Sequence, residues 1–82
     1  MNSEKILTKA IEKFGIDNQV LKAIEELAEL IRALVRPDIK NLREEIADVK
    51  IILSQLEIIY SKKEIGKYYK SKLNRLASLC KS

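Results

Sequence analysis

Apolar residues recur at intervals of three and four along almost the entire chain, and alternation of the strand kind is absent. Ile6, Leu7, Ala10, Ile11 and Phe14 share one side of a first helix predicted over Ser3–Lys13. Gly15 ends it, in the position glycine commonly takes after a helix. Asp17 is the expected N-cap of a second helix that reaches Arg36, where Pro37 stops it. On that helix Leu21, Ile24, Leu27, Ile31 and Leu34 occupy one broad side. Asn41 and Glu44 have the form of a capping box and open a third helix running to Tyr60. Ser61 and Glu64 form a cleaner capping box for a fourth helix ending near Cys80. Four amphipathic helices joined by short turns predict an all-α fold, a four-helix antiparallel bundle forming one domain over residues 1–82.

The third helix carries a second apolar strip, Ile51 and Ile58, roughly 120° from the first. Two apolar strips on one helix predict packing inside the chain and also across a subunit interface. Burial of both strips in one core is the simpler alternative. The chain has 82 residues and a single cysteine, so no disulfide supports its small core. Association into an oligomer is the expected remedy. The polar N-terminus lacks a secretory h-region, and no apolar run reaches membrane-spanning length, so a cytoplasmic protein without a membrane partner is expected.

Several charged residues depart from this pattern. With Glu45 set at zero on a helical wheel, Leu56 falls at about 20°, Ile52 at about 340° and Val49 at about 40°. Glu45 therefore sits inside an apolar stripe, with Asp48 at its edge. An ionised carboxylate buried there is costly unless it is paired or bound to a metal. On the second helix Lys22, Glu25, Glu26 and Glu29 gather within roughly 100° of one another. Alone they read as a solvated polar face. If the two helices are antiparallel neighbours, their acids converge and require positive charge.

The chain has no histidine, which argues against di-iron and zinc sites. An all-oxygen set suits Mg²⁺ first, with Mn²⁺ or Ca²⁺ as substitutes. Mg²⁺ is commonly completed by substrate phosphates, which directs attention to nucleotides. The net charge of +4 agrees with an anionic partner, and the basic residues crowd the last helix. There Lys72 falls within the apolar stripe and Arg75 at its edge, placed to hold phosphates or, in the plainer reading, to snorkel into water. Tyr68 and Tyr69 read as core residues, with stacking on a base as the alternative.

"EELAE" at 25–29 followed by "EIAD" at 45–48 resembles the paired acidic motif of the MazG-like nucleoside triphosphate pyrophosphohydrolases. Fifteen residues separate the two halves, and the resemblance runs from about Gln19 to Leu76. It implies an all-α domain assembled as a dimer or tetramer. It also implies Mg²⁺-dependent hydrolysis of (d)NTPs at the α–β phosphate bond, yielding (d)NMP and pyrophosphate. By motif matching, Glu26, Glu29, Glu45 and Asp48 become metal ligands, and Glu25 or Glu29 the group that accepts a proton from water. Lys22, Lys72 and Arg75 match phosphate-binding positions. Lys70 stands where many members of that family have asparagine, a departure that bears on substrate details. The acid cluster argues against nucleic acid as the partner. Competing readings are a non-enzymatic helical dimerisation module and a MazG-like protein with little catalysis left.

Overall fold

The computed structural model describes residues 2–36 and 38–81. Four helices follow one another: α1 (Ser3–Phe14), α2 (Ile16–Val35), α3 (Ile39–Tyr60) and α4 (Lys62–Cys80), and among the described residues there are no strands. The helices expected from periodicity are present, but two of the expected caps are not. α2 begins one residue earlier than Asp17 allows, with Gly15 at its N-cap and Asp17 inside the first turn. α3 begins at Ile39, capped by Asp38, whose carboxylate accepts a hydrogen bond from the Lys40 amide at 3.1 Å. Asn41 consequently lies inside the helix. Asp38 offers the same side-chain acceptor three residues sooner, so the earlier start captures an extra turn. The stop expected at Pro37 lies outside the described residues; Arg36 is the C-cap of α2.

The α1–α2 junction is a single residue. Gly15 takes φ 88° and ψ 152°, a region essentially reserved for glycine, while its N–H donates to the Ile11 carbonyl at 2.9 Å. The α3–α4 junction is equally tight. Ser61 has φ 83°, and its hydroxyl accepts a hydrogen bond from the Glu64 amide at 3.1 Å. This is the capping bond expected there.

α2 and α3 form the main packing unit, with α3 folded back along α2, and α1 lies against both. The buried residues are few and small: Ala23 and Ala33 on α2, Val49 and Ile52 on α3, with the polar side chains of Glu26 and Gln55 buried among them. Here the structure differs from the simple amphipathic expectation. α2 turns its Ala23–Glu26–Ala33 side inward and leaves Leu21, Ile24, Leu27, Ile31 and Leu34 exposed. Two rows of apolar residues on α3 differ in burial, and of the expected second strip Ile51 is exposed and Ile58 half-buried. Leu42, Val49 and Leu56 are buried or half-buried, whereas Ile39, Ile46, Leu53 and Tyr60, each seven residues from the next, are exposed.

α4 packs on α3 alone, and only Ile65 on it is half-buried; residues 66–81 are all exposed. The consequence is measurable. The accessible surface is 6969 Å², about 2,000 Å² more than the roughly 5,000 Å² of a compact monomer of this mass. The radius of gyration is 15.1 Å, against about 12 Å for a compact chain of this length.

Candidate functional site

The acids gather where α2 and α3 face each other. Glu29 stands seven residues before Arg36 and Glu45 seven residues after Asp38, so the packing of α3 back along α2 brings them to one level. Glu26 is one helical turn from Glu29 on the inward side of α2. Carboxylate oxygens of Glu26, Glu29 and Glu45 lie within 4.8 Å of one another. Their surroundings differ. Glu26 is buried, Glu45 half-buried and Glu29 exposed, so the group opens to solvent at one edge.

Lys22, one turn before Glu26, places its Nζ 3.0 Å from Glu26 Oε1. The other oxygen, Oε2 of Glu26, is buried and accepts no hydrogen bond; the same holds for Oε2 of Glu45. The hydrogen bond to Glu26, and then the charge of Glu26, hold the Lys22 pKa above its ordinary value, with Glu25 and Glu29 adding to the effect. Glu45 is pushed above the ordinary carboxylate range. Burial is the first cause, followed by the negative charges of Glu29, Asp48 and Glu26 and a hydrogen bond with Glu29 that favours the protonated form.

Three carboxylates from two helices, with buried oxygens that have no donor, suit a hard cation with oxygen ligands. A cation would supply the charge that these oxygens lack, and the exposed edge at Glu29 would leave room for water or phosphate beside it. Asp48 and Glu25 are exposed and stand outside the converging three. Asp48 is still close enough for its charge to act on Glu45. Lys72 and Arg75 are not brought to the acids within one chain, because α4 makes no contact with α2.

The wheel placed Glu45 correctly and left Gln55 unnoticed. Gln55 is only 4% exposed, and its Oε1 accepts no hydrogen bond. It lies ten residues after Glu45 and within about 20° of Asp48 around α3, so the same count marks it as inward-facing. Gln55 is buried while Asp48 is exposed, and Ala10 and Phe14 of α1 line the same groove as Gln55.

Fold and site together define an all-α chain with a three-carboxylate cluster between two packed helices. No protein-family model, curated protein or solved structure matches the chain. No helix among the described residues is long and apolar enough to cross a membrane.

Proposed function

We propose that the chain is a Mg²⁺-dependent nucleoside triphosphate pyrophosphohydrolase of the MazG-like kind, cleaving the α–β phosphate bond of (d)NTPs to (d)NMP and pyrophosphate. The observation that carries this reading is the convergence of Glu26, Glu29 and Glu45, from the two motif helices, with carboxylate oxygens that lack partners. Glu26, Glu29, Glu45 and Asp48 are the residues that would hold Mg²⁺, with Mn²⁺ as a substitute. When bound, the ion supplies charge neutralisation at phosphate oxygens and a more acidic water.

The chain's own residues do the rest. Glu29, exposed at the open edge, or Glu25 beside it accepts the proton of the attacking water. The water oxygen bonds to phosphorus, the bridging bond breaks, and pyrophosphate departs with the electron pair. Lys22 orients Glu26 and offers positive charge near the phosphates.

Self-association as a dimer or tetramer belongs to the same proposal. It is supported by the surplus surface and by exposed apolar rows on α2 and α3. About 800 Å² per partner is enough for a stable interface, and the surplus exceeds that. Lys72 and Arg75, out of reach of α2 in their own chain, become phosphate-binding residues if α4 lies over the acids of a second copy. Charge favours that arrangement. α4 carries Lys62, Lys63, Lys67, Lys70, Lys72 and Arg75 against Glu64 alone, whereas acids outnumber bases in the remainder of the chain.

The test is product analysis. Purified protein is incubated with a panel of NTPs and dNTPs, in Mg²⁺ and in EDTA. Monophosphate and pyrophosphate, lost on chelation and in Glu45→Gln, are expected. Diphosphate and phosphate would mean that another bond is cut.

A second reading, a non-enzymatic helical interaction module, is favoured by the exposed apolar surface alone. It requires that divalent ions leave the melting temperature unchanged.

A further inference from the structure

The acid cluster is one end of a longer feature. Beyond Lys22 a groove of ≈ 430 Å³ runs between the end of α1 and the α2–α3 pair. Phe14, Asn18, Gln19, Lys22, Ile52 and Gln55 border it. Its volume lies within the range typical of small-molecule pockets, about 300–1,000 Å³.

Three properties give the groove a chemical character. First, Lys22 belongs to both features: it borders the groove, and its amine pairs with Oε1 of Glu26. A ligand with its phosphates at the acids would extend directly into the groove. From Glu26 back to Gln19 is seven residues of helix, about 10 Å at the helical rise, a length that a ribose and base can span. Second, among the described residues no carboxylate borders the groove; its polar side chains are amides, apart from Lys22. The amide of Asn18 donates to the Phe14 carbonyl at 2.7 Å, which holds the corner of the groove in place. Third, Gln55 is buried and its Oε1 has no donor. A buried amide oxygen without a donor is unfavourable, and a ligand N–H would relieve it. An amide presents a donor beside an acceptor, the pattern that reads the edge of a nucleobase. Phe14 is 52% exposed at the rim; the Lys13 amine lies 5.5 Å from its ring centroid, so a base would take the other face or displace that amine.

We infer that this groove is the nucleoside-binding subsite: the base stacks against Phe14, and its edge, pairing an N–H donor with an acceptor, is read by the amide of Gln55. The inference rests on the nucleotide reading of the acid cluster. It goes further by naming the residues that set base preference, which the acidic motif does not address.

The experiment pairs hydrolysis with direct binding. kcat and KM are measured for ATP, GTP, CTP and UTP with Mg²⁺, for the unaltered protein, Gln55→Leu and Phe14→Ala. Gln55→Leu replaces a buried polar group that lacks a donor by an apolar one of similar size, so the fold is retained. Phe14 is exposed enough for Ala to be tolerated. The expected result is a KM raised about 10-fold or more for the preferred base in Gln55→Leu, with kcat little changed and base preference flattened. Phe14→Ala should raise KM for all four.

Side-chain amide shifts in the ¹⁵N NMR spectrum are followed alongside, with AMP, GMP, CMP and UMP as probes in Mg²⁺. A base-dependent shift of the Gln55 amide supports the subsite even if no triphosphate is cleaved. Hydrolysis with the same base preference in Gln55→Leu would overturn the subsite and leave the pyrophosphohydrolase standing. No hydrolysis and no shift would overturn both.

Discussion

Lys22 Nζ stands 3.0 Å from Oε1 of Glu26, while Oε2 of the same carboxylate is buried with no donor. The pair is therefore half made. The lysine amine is largely in water, and the glutamate that it neutralises is not. One lysine faces a group of three acids, so the region retains unbalanced negative charge.

Removing that lysine should expose the imbalance. In Lys22→Met the metal-free protein should melt at a lower temperature than the unaltered chain, since a buried carboxylate loses the cation that pairs with it. Mg²⁺ should then raise the melting temperature by more in the variant than in the unaltered protein. Thermal denaturation with and without EDTA measures both. An Mg²⁺ effect that is absent in both proteins would remove the metal site.

The raised pKa of Glu45 has a defined sign. Folding disfavours its charged form, so its contribution to stability is full below the ordinary value of 4.5 and is lost as pH rises through the higher folded value. In EDTA, Glu45→Gln should therefore melt above the unaltered protein at pH 7. The difference should shrink as the pH falls toward 4.5. A constant difference across that range would mean that Glu45 is not held in the charged form against its surroundings.

Ile52 is one of four buried apolar residues among the described residues and is 4% exposed. Ile52→Ala should cost about 2–5 kcal/mol, from lost burial and the cavity left behind. With so small a core, a loss of that size takes most of the stability of a domain. Loss of helical circular dichroism at 25 °C, or a sharply lowered urea midpoint, would register it.

At Gly15 the cost is in the backbone. A Cβ added there meets nothing within 4 Å, yet φ 88° and ψ 152° are strained for any other residue. Gly15→Ala should lose about 1–3 kcal/mol in equilibrium unfolding. Gly66, in open helix, should gain stability when replaced by Ala, by about 0.8–1 kcal/mol.

The exposed heptad row on α3 addresses self-association. Ile46 and Leu53 are 44% and 46% exposed in the single chain. Charge at either position should leave the chain folded as a monomer and prevent its assembly. Sedimentation velocity should show the proposed two or four copies for the unaltered protein and one copy for Leu53→Lys. An unchanged distribution would place the interface elsewhere, with the outer row of α2 as the next surface to alter.

Much of this was legible from residue spacing. The four helices, the end of α1 at Gly15, the cap at Ser61 and the inward position of Glu45 follow from local rules, because a helix imposes its period on whatever residues it carries. The site was legible in part. Glu26, Glu29 and Glu45 converge as their spacing from the end of α2 and the start of α3 allows. Glu25 and Asp48, equal members of the motif by spacing, stand outside that group. Their distance depends on how α2 rotates against α3, which no single-helix pattern specifies.

That rotation is where the tertiary structure decided the outcome. α2 had two candidate faces: a wide apolar one, and a narrower one of alanine and glutamate. The narrower face packs on α3, where Ala23 and Ala33 present little bulk, and Glu26 is buried with it. Gln55 was hidden in the same way, since its burial is set by packing between helices and not by its own helix. The course of α4 likewise depends on one backbone torsion at Ser61. The chain's period and charges, the end of α1 at Gly15 and the cap at Ser61 are properties of neighbours in sequence and can be read from them. Which of two apolar surfaces is covered depends on how surfaces distant in sequence fit together, and only the folded arrangement determines that.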